Sequence, residues 1–578
     1  MNKVFLSFVV SGSLLASNYK LVPLSADGVA LSSSNLAKSF SADAAFINPA
    51  NMGFLGQNPQ LHFSSNFYNV AGSRFTNELS TGIDGEPYYN ATNAHGKEFS
   101  FFLPTIAFVY PINEKHFLGA AAYTDFAAVY GWNSDYAKSL ADTMDIRGGT
   151  AAISYAYKPI DELSLGASLT ANHTKLKFNL VKDNAKNPRY IFPNNKDTWV
   201  DNKGNTLRKS WVYDGNAKAD NGYKFGYKLA LTYVPKYFDE KLRFSLLYNS
   251  SYKNEFEGNM NFRFSKFGML DFASALLNPL VTPINNPKSP ANGYNTLQLL
   301  DMSLKSNPAL LNNSKYQELL GMIAGFGSLT NDIMNGNYDK SVNYNGYASA
   351  NFLYPANANF GIAYEYGKHE FMFNMGRTFW SKAKTLDLKI NAPQMPEQLT
   401  KLAGAVGATC AGLDPATMTP TGMKVSCSSV EDLNKVVMSL IKQLGFSEKD
   451  TQAIQDYFLA SFLQNSLDQG WRDTTLFSFG YRYNYDKELS FMLGFSTEDS
   501  PVRREKISFL AKDSRMYMYS LGLEYRLNKN LKVTGAGAYQ HYADVRVDNI
   551  TDNILLQTKG KFSNQSNQIV NVGINYEF

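Results

Sequence analysis

Along most of this chain, hydrophobic and polar residues alternate one for one. In "QIVNVGINYEF", Val570, Val572, Ile574, Tyr576 and Phe578 share one face, and Asn571, Gly573, Asn575 and Glu577 the other. Tyr517, Tyr519, Leu521, Leu523, Tyr525 and Leu527 stand likewise against Ser520, Gly522, Glu524 and Arg526. The same rhythm runs through Phe477 to Tyr483, Leu489 to Phe495 and Tyr223 to Tyr233. Successive side chains of a strand point to opposite faces, so this period predicts β-structure. About fourteen strands are expected, near 59–70, 99–112, 116–131, 144–158, 163–178, 222–236, 241–262, 343–366, 369–390, 471–484, 487–499, 514–527, 531–547 and 567–578. Their connections alternate in length. "PINEK", "KPIDE", "PKYFDE", "YGKH", "NYDKE" and "LNKN" are short; 71–98, 132–143, 179–221, 263–342, 391–470, 500–513 and 548–566 are long. Tight turns at one end and long loops at the other predict an all-β antiparallel barrel, with both termini on the tight-turn, periplasmic side.

A soluble sandwich also alternates. Three features favour a transmembrane barrel instead. The polar faces carry small and charged residues, aromatics sit near both ends of segments about ten residues long, and the last strand ends on Phe578, as bacterial outer-membrane barrels do. Composition agrees: 14% of the 578 residues are aromatic, including 36 Tyr and 40 Phe, which suits rings placed at a water–lipid boundary. Mean hydropathy is −0.29, too low for a helical membrane protein. A net charge of +5 with no basic tract does not suggest nucleic acid as a partner. "MNKVFLSFVVSGSLLA", residues 1–16, has the basic start, short apolar run and small terminal residue of a secretory signal peptide.

The long loops contain helical patterns. Leu433, Val436, Val437, Leu440, Ile441 and Leu444 form a stripe, with Ser429 and Asp432 suited to its start and Gly445 to its end. A second helix is expected to open at Ser447 and Asp450 and carry Ile454, Tyr457, Phe458 and Phe462; "LDFASALLNPLV" and "YQELLGMIAGFGSL" look similar. These stripes either bury each other or form an apolar groove for lipid-like ligands. Cys410 and Cys427 are the two cysteines. An exported chain with an even count at short spacing is expected to join them as a disulfide. The six dispersed histidines offer no zinc spacing, and neither a metal nor another cofactor is expected.

One early stretch stands apart. "AAFINPANMGF", residues 44–54, follows a run of small and polar residues too slight to build a core, yet Phe46, Ile47, Met52, Phe54 and Leu55 crowd around its Asn-Pro-Ala. On its own the triplet reads as a tight turn. In order along the chain, however, "YKLVPLSADGVALSSSNLAKSFSADAAFINPANM", "LPTIAFVYPINEKHFLGAAAYTDF", "RTFWSKAK", "GFSTEDSPVRREK" and "LGLEYRLNKNLKVTGAGAYQH" resemble the FadL/TodX (OmpP1) family of outer-membrane transporters for long-chain fatty acids and other hydrophobic compounds. The resemblance, which does not extend to the helices at 391–470, implies an N-terminal hatch over 17–57 plugging a barrel over 58–578; the helical patterns place inserts at 263–342 and 391–470 outside the membrane. Asn48, Pro49 and Ala50 then form the hatch turn, Pro49 fixing φ and Asn48 extended before it. A kink in the third strand falls at Thr124, Asp125, Phe126, Ala127 and Ala128, where relatives often carry glycine. Asp473 and Arg515 match a carboxylate and an arginine of the family's interior site, either as a clamp for a fatty acid head group or as a structural pair.

The implied activity is passive, ligand-gated uptake of long-chain fatty acids or other hydrophobic small molecules, with exit sideways through the wall. The alternative is a general porin or a surface adhesin. A lipase would need a Ser–His pair, and neither His62 nor His173 lies in a recognisable serine motif, so no enzyme is expected. Outer-membrane lipids, and the barrel assembly machinery during biogenesis, are the remaining expected partners of a monomeric barrel.

Overall fold

The fold is taken from a computed structural model, which describes residues 25–578 apart from 79–92, 139–141, 184–197, 201–205, 209–210, 266–282, 285–288, 314–319, 322–323, 326–340, 384, 391–396, 423–424, 429, 446, 448–449, 451–464, 469, 510–511 and 550–557. The expected signal peptide, the helix after Asp450, "LDFASALLNPLV" and most of "YQELLGMIAGFGSL" lie outside the described residues. Fourteen spans make one closed barrel. They are β1 (Gln60–Val70), β2 (Phe99–Asn113), β3 (His116–Gly131), β4 (Thr143–Ile160) and β5 (Leu163–Asp183); β6 (Trp211–Asp220 continued by Lys224–Tyr233), β7 (Leu242–Asn249 and Tyr252–Ser265) and β8 (Ser341–Tyr354 and Asn357–Tyr366); β9 (His369–Thr378 and Thr385–Ile390) and β10 (Asn465–Asp468 and Thr474–Asn484); then β11 (Leu489–Glu498), β12 (Met516–Arg526), β13 (Leu531–Tyr542) and β14 (Ser566–Glu577). All neighbours are antiparallel, and β14 returns to β1 from Gln60↔Glu577 to Val70↔Asn567. Closure pairs the first and last spans with each other, so neither is left as a free edge of the barrel sheet.

The alternation places large apolar residues outside. On β4, Ile153 is 69% exposed while Ala152, Ser154 and Ala156 are buried; on β14, Val570, Val572 and Ile574 are exposed and Ile569, Asn571 and Asn575 buried. A soluble protein would not show an outer surface of Phe102, Leu169, Leu229 and Leu521 facing water; a lipid-facing band requires it. At the short-turn end, His116 stacks on Tyr155 and Tyr157, and His369 packs on Tyr481 and Tyr483, an interfacial aromatic rim.

At the long-loop end the two large inserts fold together. Helices Thr296–Ser306, Glu397–Cys410 and Val430–Leu444 bury Leu297, Leu300 and Leu304, Leu399, Leu402 and Val406, and Leu433, Val437 and Leu440 respectively. Of the expected stripes, the one over 433–444 lies among the described residues, and its Leu433, Val436, Val437 and Leu440 are buried; Thr296–Ser306 and Glu397–Cys410 are helices that the sequence pattern did not single out. Asn295 and Gln298 cap the first helix reciprocally, and Gly445, at φ 65°, follows the last. Cys410 and Cys427 are disulfide-bonded, with Cα atoms 5.6 Å apart.

Residues 25–57 fill the lumen towards the short-turn end. They include helices α1 (Ala26–Ala30) and α2 (Ala44–Ile47) and a 3₁₀ turn, Pro49–Phe54. The small residues of this segment are explained by what they meet. The wall presents glycine where the plug presses closest: Gly480 at Ser34, Gly494 at Leu31–Ser32, Gly522 at Ala30, Gly573 at Ala26, Gly119 at Ala45 and Met52, and Gly166 at Pro49–Ala50. Small surfaces on both sides let a compact plug lie directly on a strand wall.

Candidate functional site

The Asn-Pro-Ala turn is bolted to the barrel. Asn48 is extended, at φ −150° and ψ 99°, as a residue before proline must be. Its Oδ1 accepts from Ala50 N at 3.1 Å, while Nδ2 donates to Leu36 O at 2.9 Å and to Thr232 Oγ1 on β6 at 3.3 Å. Asn51 Nδ2 donates to Leu36 O and Ser39 Oγ, and Thr232 Oγ1 donates to Asn51 Oδ1 at 2.7 Å. Ala50 packs with Leu36, Ala230 and Leu247. One loop of the hatch is thereby fastened to β6 and pressed against β5.

Beside it the wall changes. β2 and β3 pair from Asn113↔His116 to Ile106↔Ala122, where their ladder ends. β3 stays paired with β4 but takes one extra residue between Tyr123 and Phe126, a bulge at Thr124–Asp125. Phe126, Ala127 and Ala128 are then buried in succession. A straight strand alternates, so β3 turns inward here. The Phe126 ring meets Tyr354 on β8, centroids 5.6 Å apart, and Ala127 joins a cluster with Leu103, Tyr68 and the hatch residue Leu31. The chains meet again where Lys97 N donates to Gly131 O and Gly96 bridges Trp132. A seam in the β2–β3 pairing is therefore bounded by Ile106 and Ala122 on one side and by Lys97 and Gly131 on the other. It bends without glycine because the extra residue does the bending. The Asp125 side chain lies outside the described residues.

Hatch and kink meet in one cavity of about 170 Å³, whose lining includes Leu36, Phe46, Ile47, Tyr123, Lys228 and Tyr354. Phe46, two residues before Asn48, stacks on Tyr123, the last residue before the bulge, at 5.0 Å. Lys228 Nζ donates to Phe46 O at 2.6 Å and lies 5.1 Å from the centre of the Tyr123 ring. These contacts join the hatch directly to the strand at the kink.

The profile of the family described as outer membrane protein transport protein (OMPP1/FadL/TodX) matches residues 7–578. The chain belongs to this family. It is accordingly a multi-pass barrel of the bacterial outer membrane. A long-chain fatty acid transport protein of Escherichia coli O6:H1 is 33% identical over 79 residues, which cover 14% of this chain and 18% of that protein; the stretch of close similarity is thus a small part of the relative's length. Among solved structures, a FadL homologue of Pseudomonas aeruginosa superposes with a TM-score of 0.61 at 14% identity, covering 97% of this chain and all of the other. The P. putida toluene transporter TodX gives 0.52 at 12% identity, covering 95% and 98%. At such identity these likenesses speak for the fold.

Two residues matched to the family's interior site lie elsewhere in this FadL-family barrel. Asp473 and Arg515 are not brought together. Asp473 accepts from Ser381 N at 2.9 Å and pairs with Arg377 at 3.6 Å, whereas Arg515 pairs with Asp499. The reason is parity. Thr474 and Leu476 face inward on β10, as do Met516 and Met518 on β12, so the residue just before each pair falls on the outward face. The charged groups that do line the lumen are different ones. Lys38 of the hatch bonds Glu365 and Glu370 at 2.7 Å each. Arg482 pairs with Glu524 at 2.7 Å and lies over the Phe40 ring, and Lys532 donates to Phe40 O at 2.8 Å. All except Lys38 and Phe40 sit on strands, and parity with their apolar neighbours marks Lys228, Arg482, Glu524 and Lys532 as inward-facing from sequence alone. His62 is buried below the hatch against Asn575 and Ser64, and His173 Nδ1 donates to Gly222 O at the exposed rim.

Within the hatch, Asp27 is fully buried and neither carboxylate oxygen has a hydrogen-bond partner among the described residues. Burial first, then the charges of Glu524 and Asp43, push its pKa up to about 7, against the pull of Lys532 and Arg482. Burial likewise raises Asp43 to about 6, moderated chiefly by the Ser25 hydroxyl, which donates to it at 2.8 Å. Among the described residues no group of three or more metal-ligating side chains occurs.

Proposed function

We propose that this barrel is a passive channel for hydrophobic and amphiphilic compounds, long-chain fatty acids among them, gated by the ligand itself. The observation that carries this reading is a cavity whose wall is shared by the hatch residues Phe46 and Ile47 and by Tyr123 at the β3 bulge. The names of the E. coli relative and of the TodX structure point to the same class of cargo. Ligand is caught by the outer loops 179–221 and 263–342 and descends to the cavity. Each buried methylene contributes about 0.8 kcal/mol, so an apolar path holds an alkyl chain without an energy source. Occupancy separates Phe46 from Tyr123, loosens the Asn48-Pro49-Ala50 turn and opens the β2–β3 seam, through which the ligand leaves sideways into the outer membrane. The plugged lumen argues against a general porin.

The test is Lys228→Met and, separately, Tyr123→Ala in cells lacking other fatty acid transporters. Uptake of labelled palmitate should change by about 5–30-fold if breaking one such contact alters the gate by about 1–2 kcal/mol, with folded barrel at normal levels. Wild-type uptake no faster than in cells without the protein would refute transport. Rapid swelling of sugar-loaded proteoliposomes would favour the porin.

A further inference from the structure

The outward face of β4–β8 changes character in steps as it rises towards the long loops. Lowest are exposed apolar residues such as Ile153 and Leu169, opposite each other across β4 and β5. Higher up, the His173 ring lies 5.4 Å from that of exposed Tyr223. Then come cations: Arg147 stands opposite Lys175 across β4 and β5, and Lys177 opposite Lys218 across β5 and β6, all four exposed. Above them runs a row of amides, Asn179, Asn216, Asn261 and Asn345, each directly opposite the next across β5, β6, β7 and β8. The top of this row opens into a hollow of about 480 Å³, lined also by Asn343 and Arg263.

Two features set the lysines apart. The first is height. Arg147 stands about ten residues along β4 from Tyr157 of the short-turn aromatic rim, which at a strand tilt of about 40° is a rise of about 25 Å, the thickness of an outer-membrane apolar band. Arg147 and Lys175 therefore lie where the headgroups of the outer leaflet begin. The second is pairing. Like charges directly opposite in a ladder repel each other at Cβ separations of about 4.5–5.5 Å, yet Lys175, Lys177 and Lys218 have no carboxylate within salt-bridge distance among the described residues. The acids that face them are engaged elsewhere. Asp145 holds Arg147 through bonds of 2.8 and 3.0 Å, and Asp220 accepts from Gly222 N at 3.1 Å. Other cations of the upper rim are paired: Arg377 with Asp473, Arg515 with Asp499, and Lys224 and Lys253 with Glu255.

We infer that this face docks a phosphorylated glycolipid of the outer leaflet. Its acyl chains lie along Ile153 and Leu169, its phosphate oxygens meet Lys175, Lys177 and Lys218, and its sugar hydroxyls meet the asparagine row, whose amides both donate and accept. The order of chemistries from membrane to water on the protein is the order of the lipid's parts: chain, phosphate, sugar. A phosphodiester lipid without sugars leaves the amide row unused. The inference rests on the outer-membrane placement of the barrel and not on its cargo.

The test is native mass spectrometry of the full chain in mild detergent, titrated with a diglucosamine lipid bearing two phosphate monoesters, with its dephosphorylated form and with phosphatidylglycerol. A lysine near a membrane surface adds about five-fold to the binding of an anionic headgroup, so the bisphosphorylated lipid is expected to bind about ten-fold or more tighter than either comparator. Lys175→Gln, Lys177→Gln and Lys218→Gln should each weaken it about five-fold, and Asn216→Ala with Asn261→Ala should narrow its lead over phosphatidylglycerol. Lys253→Gln, on the same rim but committed to Glu255, should leave it unchanged. Heat-modifiability checks that each barrel is folded, and the wild-type lipid comparison stands by itself if a variant is not. Equal affinity for the dephosphorylated lipid, or a triple lysine variant that binds as the wild type does, overturns the phosphate contact. Equal affinity for phosphatidylglycerol means a general attraction to anionic headgroups and overturns the glycolipid. Displacement of the lipid by millimolar inorganic phosphate makes this a site for the free ion and overturns it too.

Discussion

Replacing Gly166 by alanine puts the hatch contact under direct strain. A Cβ built at 166 lies 2.3 Å from Ala50 N and 2.6 Å from Pro49 C, whereas carbon atoms rest at about 3.5–4.0 Å. One side must yield by about 1 Å. The strand is held by ladders on both flanks, Ala156↔Gly166 and Ala230↔Gly166, so the turn is the side that moves. Its anchors, Asn48 and Asn51 to Thr232, are hydrogen bonds of 3.3 and 2.7 Å, and the longer cannot follow a shift of that size. Overpacking of this kind costs about 1–3 kcal/mol, which moves a docked–released equilibrium by roughly 5–150-fold. Gly149→Ala is the matched control, since a Cβ there meets nothing within 4 Å. Hydrogen exchange over 44–54 and ligand uptake should both rise for Gly166→Ala and stay at the wild-type level for Gly149→Ala, with heat-modifiable barrel equally abundant. Unchanged exchange and uptake in Gly166→Ala would refute the claim that this contact holds the gate.

Two further outcomes follow from buried chemistry. Asp27 keeps its proton in the docked hatch up to about pH 7 but has an ordinary carboxyl pKa near 3.9 when released. The docked state then binds more protons, and its advantage is full below pH 4 and lost as pH rises through 7; protection factors at 26–30, corrected for the base-catalysed rate of free amides, should fall over that range in the wild type and fall less in Asp27→Asn, where Asp43 alone remains. The Cys410–Cys427 bond should appear as one linked peptide in non-reducing maps. Cys427→Ser should destabilise the helical inserts by about 2–5 kcal/mol without altering barrel heat-modifiability, and two free thiols in oxidised protein would contradict it.

The barrel was legible because its physics is periodic. Alternation, short turns and the pairing of inward small residues with outward large ones can be read residue by residue, and the helix ending at Gly445 shows its stripe and its stop. Breaks within a span are not periodic. Asn221-Gly222 and Pro355 are turn-prone and ladder-breaking residues at the pauses in β6 and β8, but Ser250-Ser251 carries no such signal for β7, and the bulge at Thr124–Asp125 depends on register against β4, which one strand alone does not reveal. The misplacement of Asp473 and Arg515 has another origin: motif similarity was followed where parity pointed outward. Lys228 and Arg482, found in the lumen, fall on the inward parity of their strands, although neither was singled out from the sequence. Thr232 and Gly166 matter only because a distant turn lands on them, and a contact made across such a separation leaves no local trace.

The route of the ligand is the central claim, and photo-crosslinking tests it most directly. Cells expressing the barrel are given a palmitate analogue with a diazirine near the end of its chain, irradiated during uptake, and the labelled residues mapped by mass spectrometry. Sideways exit predicts adducts at the cavity and along the β2–β3 seam, on Tyr123, Ala127 and Leu103, and none on the lumen below the hatch. Adducts on His62, Lys532 and Asn575, with the seam unlabelled, would mean that ligand passes down through the plug, and would contradict the account.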